Sequence, residues 1–535
     1  MHPEFAKRTI ALAVSVAMIG GTMAPALAGA PTTGGTESVA DWFTGGQAFI
    51  QRSKQTFANV RPAKNVILFV GDGMGVSTVT AARILDGQMK GKTGEENSLS
   101  FEGFPNLALS KTYSWDQQTP DSAPTMTAMV TGYKGREGQL AVDHTTARGE
   151  CSAVVTESKK LTTILEQAAA AGKATGVVST ARLTHATPAA TYSHIAVRDW
   201  ESDREIRKFE IASGFAANAC TVKDISAQLI DLAPVVRNSL KVAMGGGRTF
   251  FYPNTVKEPE RGTAFGTRRD GRDLTAEWVS TRGVGAVYAW NKAQFDAADP
   301  ATTTHLLGLF ENSHMQYEAD RLTASGEKGE PSLTEMTEKS VNILKKNASG
   351  FFLHVEAGRI DHAHHAGNAK RALIDTIEFS KAVKKAYDMT IGSNDPALKD
   401  TLIIVTADHS HVFTIAGYPH RGNPILGKVA EVPDIDGDAP TLAKDSLSLP
   451  YTTLGYQNGP GWRGTLPTNS AVRPDLTALD TEALGFLQEA AIPLGSETHA
   501  GEDVAVYAVG PRSHLVRGSM EQHWIYHVMK EAFGF

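Results

Sequence analysis

Long runs of Lys or Arg are absent from the 535 residues, and the charge is mildly acidic, −6 with histidine neutral. A nucleic-acid surface is therefore not expected. Beyond the first residues, no stretch is apolar over enough length to span a bilayer. The C-terminal Met529 to Phe535 lacks the hydrophobic tail that would suggest a lipid anchor. Gly71-Asp-Gly-Met-Gly75 has the wrong glycine spacing for a dinucleotide site, and Val242 to Arg248 lacks the Lys-Ser/Thr of a P-loop. Cysteine is scarce, with Cys151 and Cys220 the whole complement. In an exported chain such a pair suggests one disulfide, worth roughly 4 kcal/mol in the chain-entropy picture. Two buried free thiols are the other reading.

Export is what the N-terminus suggests. Lys7 and Arg8 precede a short apolar run, Ile10 to Met23, and the cleavage-type triplet Ala26-Leu27-Ala28. Residues 1–28 are expected to be a signal peptide, which implies a periplasmic or secreted protein. A composition of 41% hydrophobic residues over this length can bury a large core.

Several apolar runs without alternation read as strands buried on both faces of a parallel sheet. Each ends in residues with ligand chemistry. Val66 to Val70 leads to Asp72, between two glycines. Ala174 to Thr180 leads to His185 and Thr187. Phe351 to Val355 leads to Glu356, then to Asp361 and His365 at i and i+4. On a helix that pair shares one face and can bind one zinc. Thr401 to Ala407 leads to Asp408 and His409, with His411 able to orient a ligand. His499 stands ahead of a late strand. In open α/β sheets ligands bind beyond the carboxyl ends of strands. Four of the 17 histidines fall within residues 354–365. Taken singly, Asp72 also fits a helix cap, and Thr187 a turn before Pro188.

Ser122, in Pro120-Asp-Ser-Ala-Pro124, is the expected nucleophile. Pro124 is tolerated in a first helical turn, which would put Ser122 at a helix N-terminus favourable to anions. Its bland role is an N-cap. Arg198 can grip two phosphate oxygens with its guanidinium fork, or be a surface ion pair. Mixed Asp and His ligands suit zinc, and Asp, Glu and Thr oxygens suit magnesium. A pair of such ions suits in-line phosphoryl transfer.

Helices are expected over 157–171, 370–387 and 519–532, with 221–345 alternating helix and loop. Residues 414–495, richer in Pro, Gly and Asp, read as a small β-rich lobe inserted between 29–413 and 496–535.

Six motifs then resemble those of alkaline phosphatases, in family order over roughly residues 60–533. They are Val70-Gly-Asp-Gly-Met-Gly75, Pro120-Asp-Ser-Ala123, Thr184-His-Ala-Thr-Pro188, Val355-Glu-Ala-Gly-Arg-Ile-Asp-His362, Thr406-Ala-Asp-His-Ser-His-Val-Phe413 and Thr498-His-Ala-Gly-Glu-Asp-Val504. The animal type is the nearer match. The resemblance implies an α/β fold with a central, largely parallel sheet covered by helices on both faces, plus the inserted lobe. It implies hydrolysis of phosphate monoesters through a phosphoserine on Ser122. It implies a first zinc on Asp361, His365 and His499, and a second on Asp72, Asp408 and His409, which also meets Ser122. Magnesium would lie on Asp72, Thr187 and Glu356 with His185 close by, and Arg198 would grip phosphate.

The resemblance also implies a Cys151–Cys220 disulfide and a homodimer whose crown is the inserted lobe. Tyr418 stands in the place of an inter-subunit arm. A calcium site of the animal members would draw on Glu260, Phe310, Glu311 and Glu330, although the family has Asp at the last position. Pro124 replaces the usual small residue, and Thr187 a Ser. The competing readings are a phosphodiesterase or sulfatase of the same superfamily, and a metal- or phosphate-binding protein without turnover. Met126 stands where a sulfatase needs Arg.

Overall fold

The computed structural model describes residues 38–55, 57–260, 262–323, 329–435, 438–462 and 473–535. The expected signal peptide lies outside them. Ten strands form one sheet: β1 (Asn65–Gly71), β2 (Asn106–Lys111), β3 (Ala174–Arg182), β4 (Leu240–Gly246), β5 (Ala286–Ala289), β6 (His305–Leu309), β7 (Phe351–Ala357), β8 (Thr401–Ala407), β9 (Val504–Val509) and β10 (Gly518–Glu521). Their spatial order is β10-β2-β9-β8-β1-β7-β3-β4-β6-β5. Every pairing is parallel except the two made by β9, which runs antiparallel to β2 and β8.

The absence of alternation in β1 has a direct cause. Val66, Leu68 and Val70 pack into the core on one face of the sheet, and Ile67 and Phe69 into the core on the other. The first face is covered by α3 (Ser122–Thr131), α5 (Ile164–Ala170) and α10 (Trp524–Phe533), through Met126, Leu165 and Met529 among others. The second is covered by α2 (Val76–Met89), α7 (Leu333–Leu344) and α9 (Ala369–Met389), through Val79, Met336 and Phe379. Helix α1 (Val39–Lys54) precedes the sheet, and α4 (Ala153–Ser158), α6 (Ala186–Ala189) and α8 (Arg359–His365) complete those named below. Within 414–495 the strands are short, and Phe413–Ile415, Leu454–Gly459 and Ala490–Pro493 form a separate small sheet. Among the described residues, no helix is long and apolar enough to cross a membrane.

Three expectations are corrected. The helix over 157–171 is two helices, α4 and α5. Leu161 donates its N–H to Ala141 O at 2.9 Å, and Lys160 forms a β-bridge with Val142. Thr163 and Glu166 then make a capping box that starts α5 afresh. The helix over 519–532 begins only at Trp524, because residues 518–521 pair with edge strand β2. The stretch 221–345 also contains β5 and β6, which its periodicity did not reveal.

Candidate active site and metal centre

Strands β1, β7 and β8 are parallel neighbours, so their carboxyl ends open at one edge of the sheet. Asp72 follows β1, Glu356 is near the end of β7, and Asp408 follows β8. All three are buried. Gly73, at φ +67°, makes the close approach possible: a Cβ there would lie 2.3 Å from the His411 ring. Its N–H donates to Asp408 Oδ1 at 3.0 Å, tying the β1 and β8 ends together.

Ser122 is the first residue of α3, but Asp121 is the cap, accepting from Ala123 N. The Ser122 hydroxyl is free of capping duty. Its Oγ lies 3.4 Å from Asp72 Oδ1 and 3.2 Å from His409 Nε2. Pro124 sits within the first helical turn, and α3 runs on to Thr131.

Asp361 and His365 share one face of α8. Asp361 Oδ1 is 3.3 Å from His365 Nε2 and 3.3 Å from His499 Nε2, and the two imidazole nitrogens are 3.0 Å apart. Burial acts to raise the Asp361 pKa, but His365, His411 and His499 outweigh it and hold the carboxyl well below its usual range. A second group lies beside the first. His409 Nε2 is 3.5 Å from Asp72 Oδ1 and 3.3 Å from Asp408 Oδ2, and the His409 and His499 rings stack at 3.6 Å. Burial and then His499 push the His409 pKa well down, leaving the ring neutral.

The third group is acidic and incompletely bonded. Asp72 Oδ2, Thr187 Oγ1 and Glu356 Oε1 are buried and have no hydrogen-bond partner. Burial, then Asp408, Asp361 and Glu356, raise the Asp72 pKa well above the carboxylate range. Burial pushes Glu356 up to about 8. Buried polar atoms normally find partners, and each orphan costs roughly 1–3 kcal/mol. Asp72 and Glu356 lie within ligand spacing of one another and of His185, an arrangement able to hold a cation, and the Thr187 hydroxyl is a further buried oxygen without a partner. The histidine-containing groups bring carboxylate oxygens and imidazole nitrogens within ligand spacing and could hold metal ions.

Arg198 forms an ion pair with Asp121, and its other terminal nitrogen lies 2.9 Å from His185 Nε2. Burial and then Arg198 lower the His185 pKa. His185 meets His314 and His362 edge to face, and the His314 and His362 rings are tilted against each other with centroids 4.0 Å apart.

The calcium expectation meets a mixed geometry. Glu330 keeps one buried oxygen without a partner, and burial holds its pKa up at about 8. Glu311 accepts from the Gln316 amide at 2.6 Å, whereas Glu260 is tied to Arg248 at 2.6 Å. Phe310 is buried, its N–H donating to Gly245 O at 2.9 Å. Cys151 and Cys220 are joined by a disulfide.

Sequence reasoning missed several supporting residues. Gln522 donates to Asp408 O at 2.6 Å, and Ser179 donates to Glu356. Glu497 bonds His411 Nδ1 at 2.6 Å. Its position two residues before His499 marks it as close to the site, though not as a partner of His411.

The profile of the alkaline phosphatase family matches residues 63–535. The mouse (Mus musculus) tissue-nonspecific alkaline phosphatase is 45% identical over 479 residues, 89% of this chain and 84% of that protein. The membrane-bound alkaline phosphatase of Bombyx mori is 41% identical over 513 residues, 94% of this chain and 86% of that one. Among solved structures, the Thermus thermophilus alkaline phosphatase superposes with a TM-score of 0.59 at 23% identity, covering 89% and 92% of the two chains. That of the Antarctic bacterium TAB5 gives 0.56 at 21%, covering 89% and 99%. At those identities the two structures speak to the fold. The profile and the animal relatives speak to descent, and this chain belongs to the alkaline phosphatase family.

Proposed function

We infer that this alkaline phosphatase hydrolyses phosphate monoesters through a phosphoserine formed on Ser122. One observation carries the reading: the Ser122 hydroxyl, free of capping duty, lies between Asp72 and His409, and Asp72 and the neighbouring Glu356 each keep a buried oxygen without a partner. Asp361, His365 and His499 would hold a first zinc, and Asp72, Asp408 and His409 a second. Asp72, Thr187 and Glu356 would hold magnesium. When bound, these cations would supply Lewis-acid charge at the attacking and leaving oxygens.

The chain's own groups do the rest. Ser122 Oγ is held at the N-terminus of α3, where free N–H groups favour an oxyanion. His409 is kept neutral and cannot repel a cation. Arg198 is steadied by Asp121 and His185, ready to present its fork to two phosphate oxygens. Two displacements at phosphorus, first by Ser122 and then by water, would retain configuration. A single inversion measured with a chiral phosphate ester would rule the phosphoserine out.

The orphaned Glu330 oxygen beside Glu311 supports a calcium ion there, with Glu260 released from Arg248 to join it. The disulfide fits an oxidising, exported location. A homodimer is supported by the aromatic residues that α1 leaves exposed, Trp42, Phe43 and Phe49, and by Tyr418 at 86% exposure.

The test is p-nitrophenyl phosphate hydrolysis by wild type and Ser122→Ala, before and after chelation and zinc/magnesium add-back. Wild-type turnover should vanish on chelation and return with metal. Ser122→Ala should lose at least about 10³-fold in kcat. Metal-restored turnover in Ser122→Ala near the wild-type rate would overturn the nucleophile.

A further inference from the structure

We propose that Glu497 is a positioning residue for the first zinc triad, acting on Asp361 through His411. The proposal rests on the assignment of Asp361, His365 and His499 to that zinc.

The chain of contacts is continuous and buried. Glu497 Oε2 lies 2.6 Å from His411 Nδ1, and His411 Nε2 lies 2.8 Å from Asp361 Oδ1. A histidine ring between two carboxylates can turn neither toward solvent nor about its own axis without losing a bond. Gly73 leaves room for that ring, since any Cβ there would strike it. The other oxygen of Glu497 accepts Val412 N at 2.9 Å, which fixes the carboxylate itself.

The same residue reaches the other two members of the triad. Glu497 N donates to His365 O at 3.0 Å, and Glu497 O accepts from His365 Nδ1 at 2.5 Å. That leaves His365 Nε2 as the free nitrogen, facing Asp361 and His499. His499 is two residues further along the chain, in the short pair His499–Ala500 with Ser410–His411. One residue thus sets the tautomer of His365, the orientation of Asp361 and the approach of His499. Partners of this kind orient ligands and typically change metal affinity by roughly 10–100-fold when removed.

His411 and Glu497 also come within ligand spacing of His365. The bonds just described occupy both nitrogens of His411 and both oxygens of Glu497. They act as holders, leaving Asp361, His365 and His499 as ligands.

The test measures zinc release from fully loaded protein into excess chromogenic chelator, with zinc and magnesium counted beforehand and Tm recorded for each loaded variant. In Glu497→Gln, one of two zinc equivalents per chain should leave roughly 10–100-fold faster than in wild type. The other zinc and the magnesium should be retained as in wild type. His411→Asn keeps a partner for Glu497 but breaks the link to Asp361, and should show the same selective loss. Adding Glu497→Gln to His411→Asn should then change release little further. Wild-type release from Glu497→Gln overturns the proposal. So do additive losses in the double variant, or loss of both zinc ions with a falling Tm, which would mark a general structural role. A wild type that takes up no zinc overturns the underlying metal assignment instead.

Discussion

Two halves of the same strand-end site are built on opposite terms. Around Asp361 the carboxylate is surrounded by imidazoles, and almost every polar atom has a partner within the protein. Around Glu356 the carboxylates face one another, and Asp72 and Glu356 each keep an oxygen without a partner. The first half is close to charge balance by itself, because histidines stand where a cation would otherwise be needed. The second half is a buried cluster of like charge that folds at a cost unless protons or a cation join it. The difference predicts that removing metal should leave the first half formed and the second strained.

The largest effect should appear in the metal-stripped protein as pH rises. Glu356 is held at about 8 by burial, against 4.5 in an unfolded chain. A raised carboxyl pKa means that the folded state binds more protons than the unfolded state between those values. Stability is therefore full below about pH 4.5 and is lost as pH climbs through 8. The loss is on the order of 5 kcal/mol and is shared with Asp72. Glu356→Gln cannot ionise, so the stripped variant should resemble stripped wild type near pH 5 and exceed it near pH 8. Chemical denaturation at both pH values checks this. Parallel stability curves for the two proteins would end the argument that the acidic half is strained.

A middle-sized effect should distinguish the halves by mutation. Thr187→Val removes an orphaned hydroxyl without changing shape. The stripped protein should be as stable as wild type, or more stable by about 1 kcal/mol, because nothing bonded is lost. Magnesium affinity should fall roughly 10-fold or more, read by calorimetric titration. His499→Ala removes a bond from Nδ1 to Pro120 O and a ring stacked on His409. The stripped variant should lose about 1–3 kcal/mol. If Thr187→Val is the more damaging of the two in metal-free protein, the comparison is wrong.

The parts legible from sequence share a cause. Strands β1, β7 and β8 are buried on both faces, so their apolar runs are unbroken and stop abruptly at Asp72, Glu356 and Asp408. Asp361 and His365 are one helical turn apart, and spacing alone puts them on one face. What escaped depends on distant contacts. Helix α5 restarts because residues 160–161 are taken up by 141–142, and β10 forms because an edge strand is available to pair with. Glu497 and Gln522 hold residues 86 and 114 positions away in sequence. No local pattern encodes such a partner. Cap identity at α3 was also hidden, since Asp121 and Ser122 are both good capping residues.

The last effect concerns a residue the site does not use. His354 lies two positions before Glu356 in β7, fully buried, with no partner at hydrogen-bond geometry for either ring nitrogen and only the Leu68 backbone near enough to offset the burial in part. Burial pushes its pKa down to about 3, against 6.5 for a free imidazole. It is the acidic half's problem in miniature, but without a cation to resolve it. His354→Leu is near in volume and carries no polar atom, so it should stabilise the loaded protein by about 1–2 kcal/mol at pH 7. A depressed imidazole pKa means that the unfolded state takes up the proton first. Wild-type stability is thus full above pH 6.5 and falls as pH drops toward 3. His305, held at about 4 by burial, contributes in the same direction, so the variant should keep part of the acid slope. The advantage of His354→Leu should widen by about 2 kcal/mol between pH 7 and pH 5. A constant advantage across that range would mean that the ring finds a proton partner on folding, and that its orphaned nitrogens are not what strains the strand.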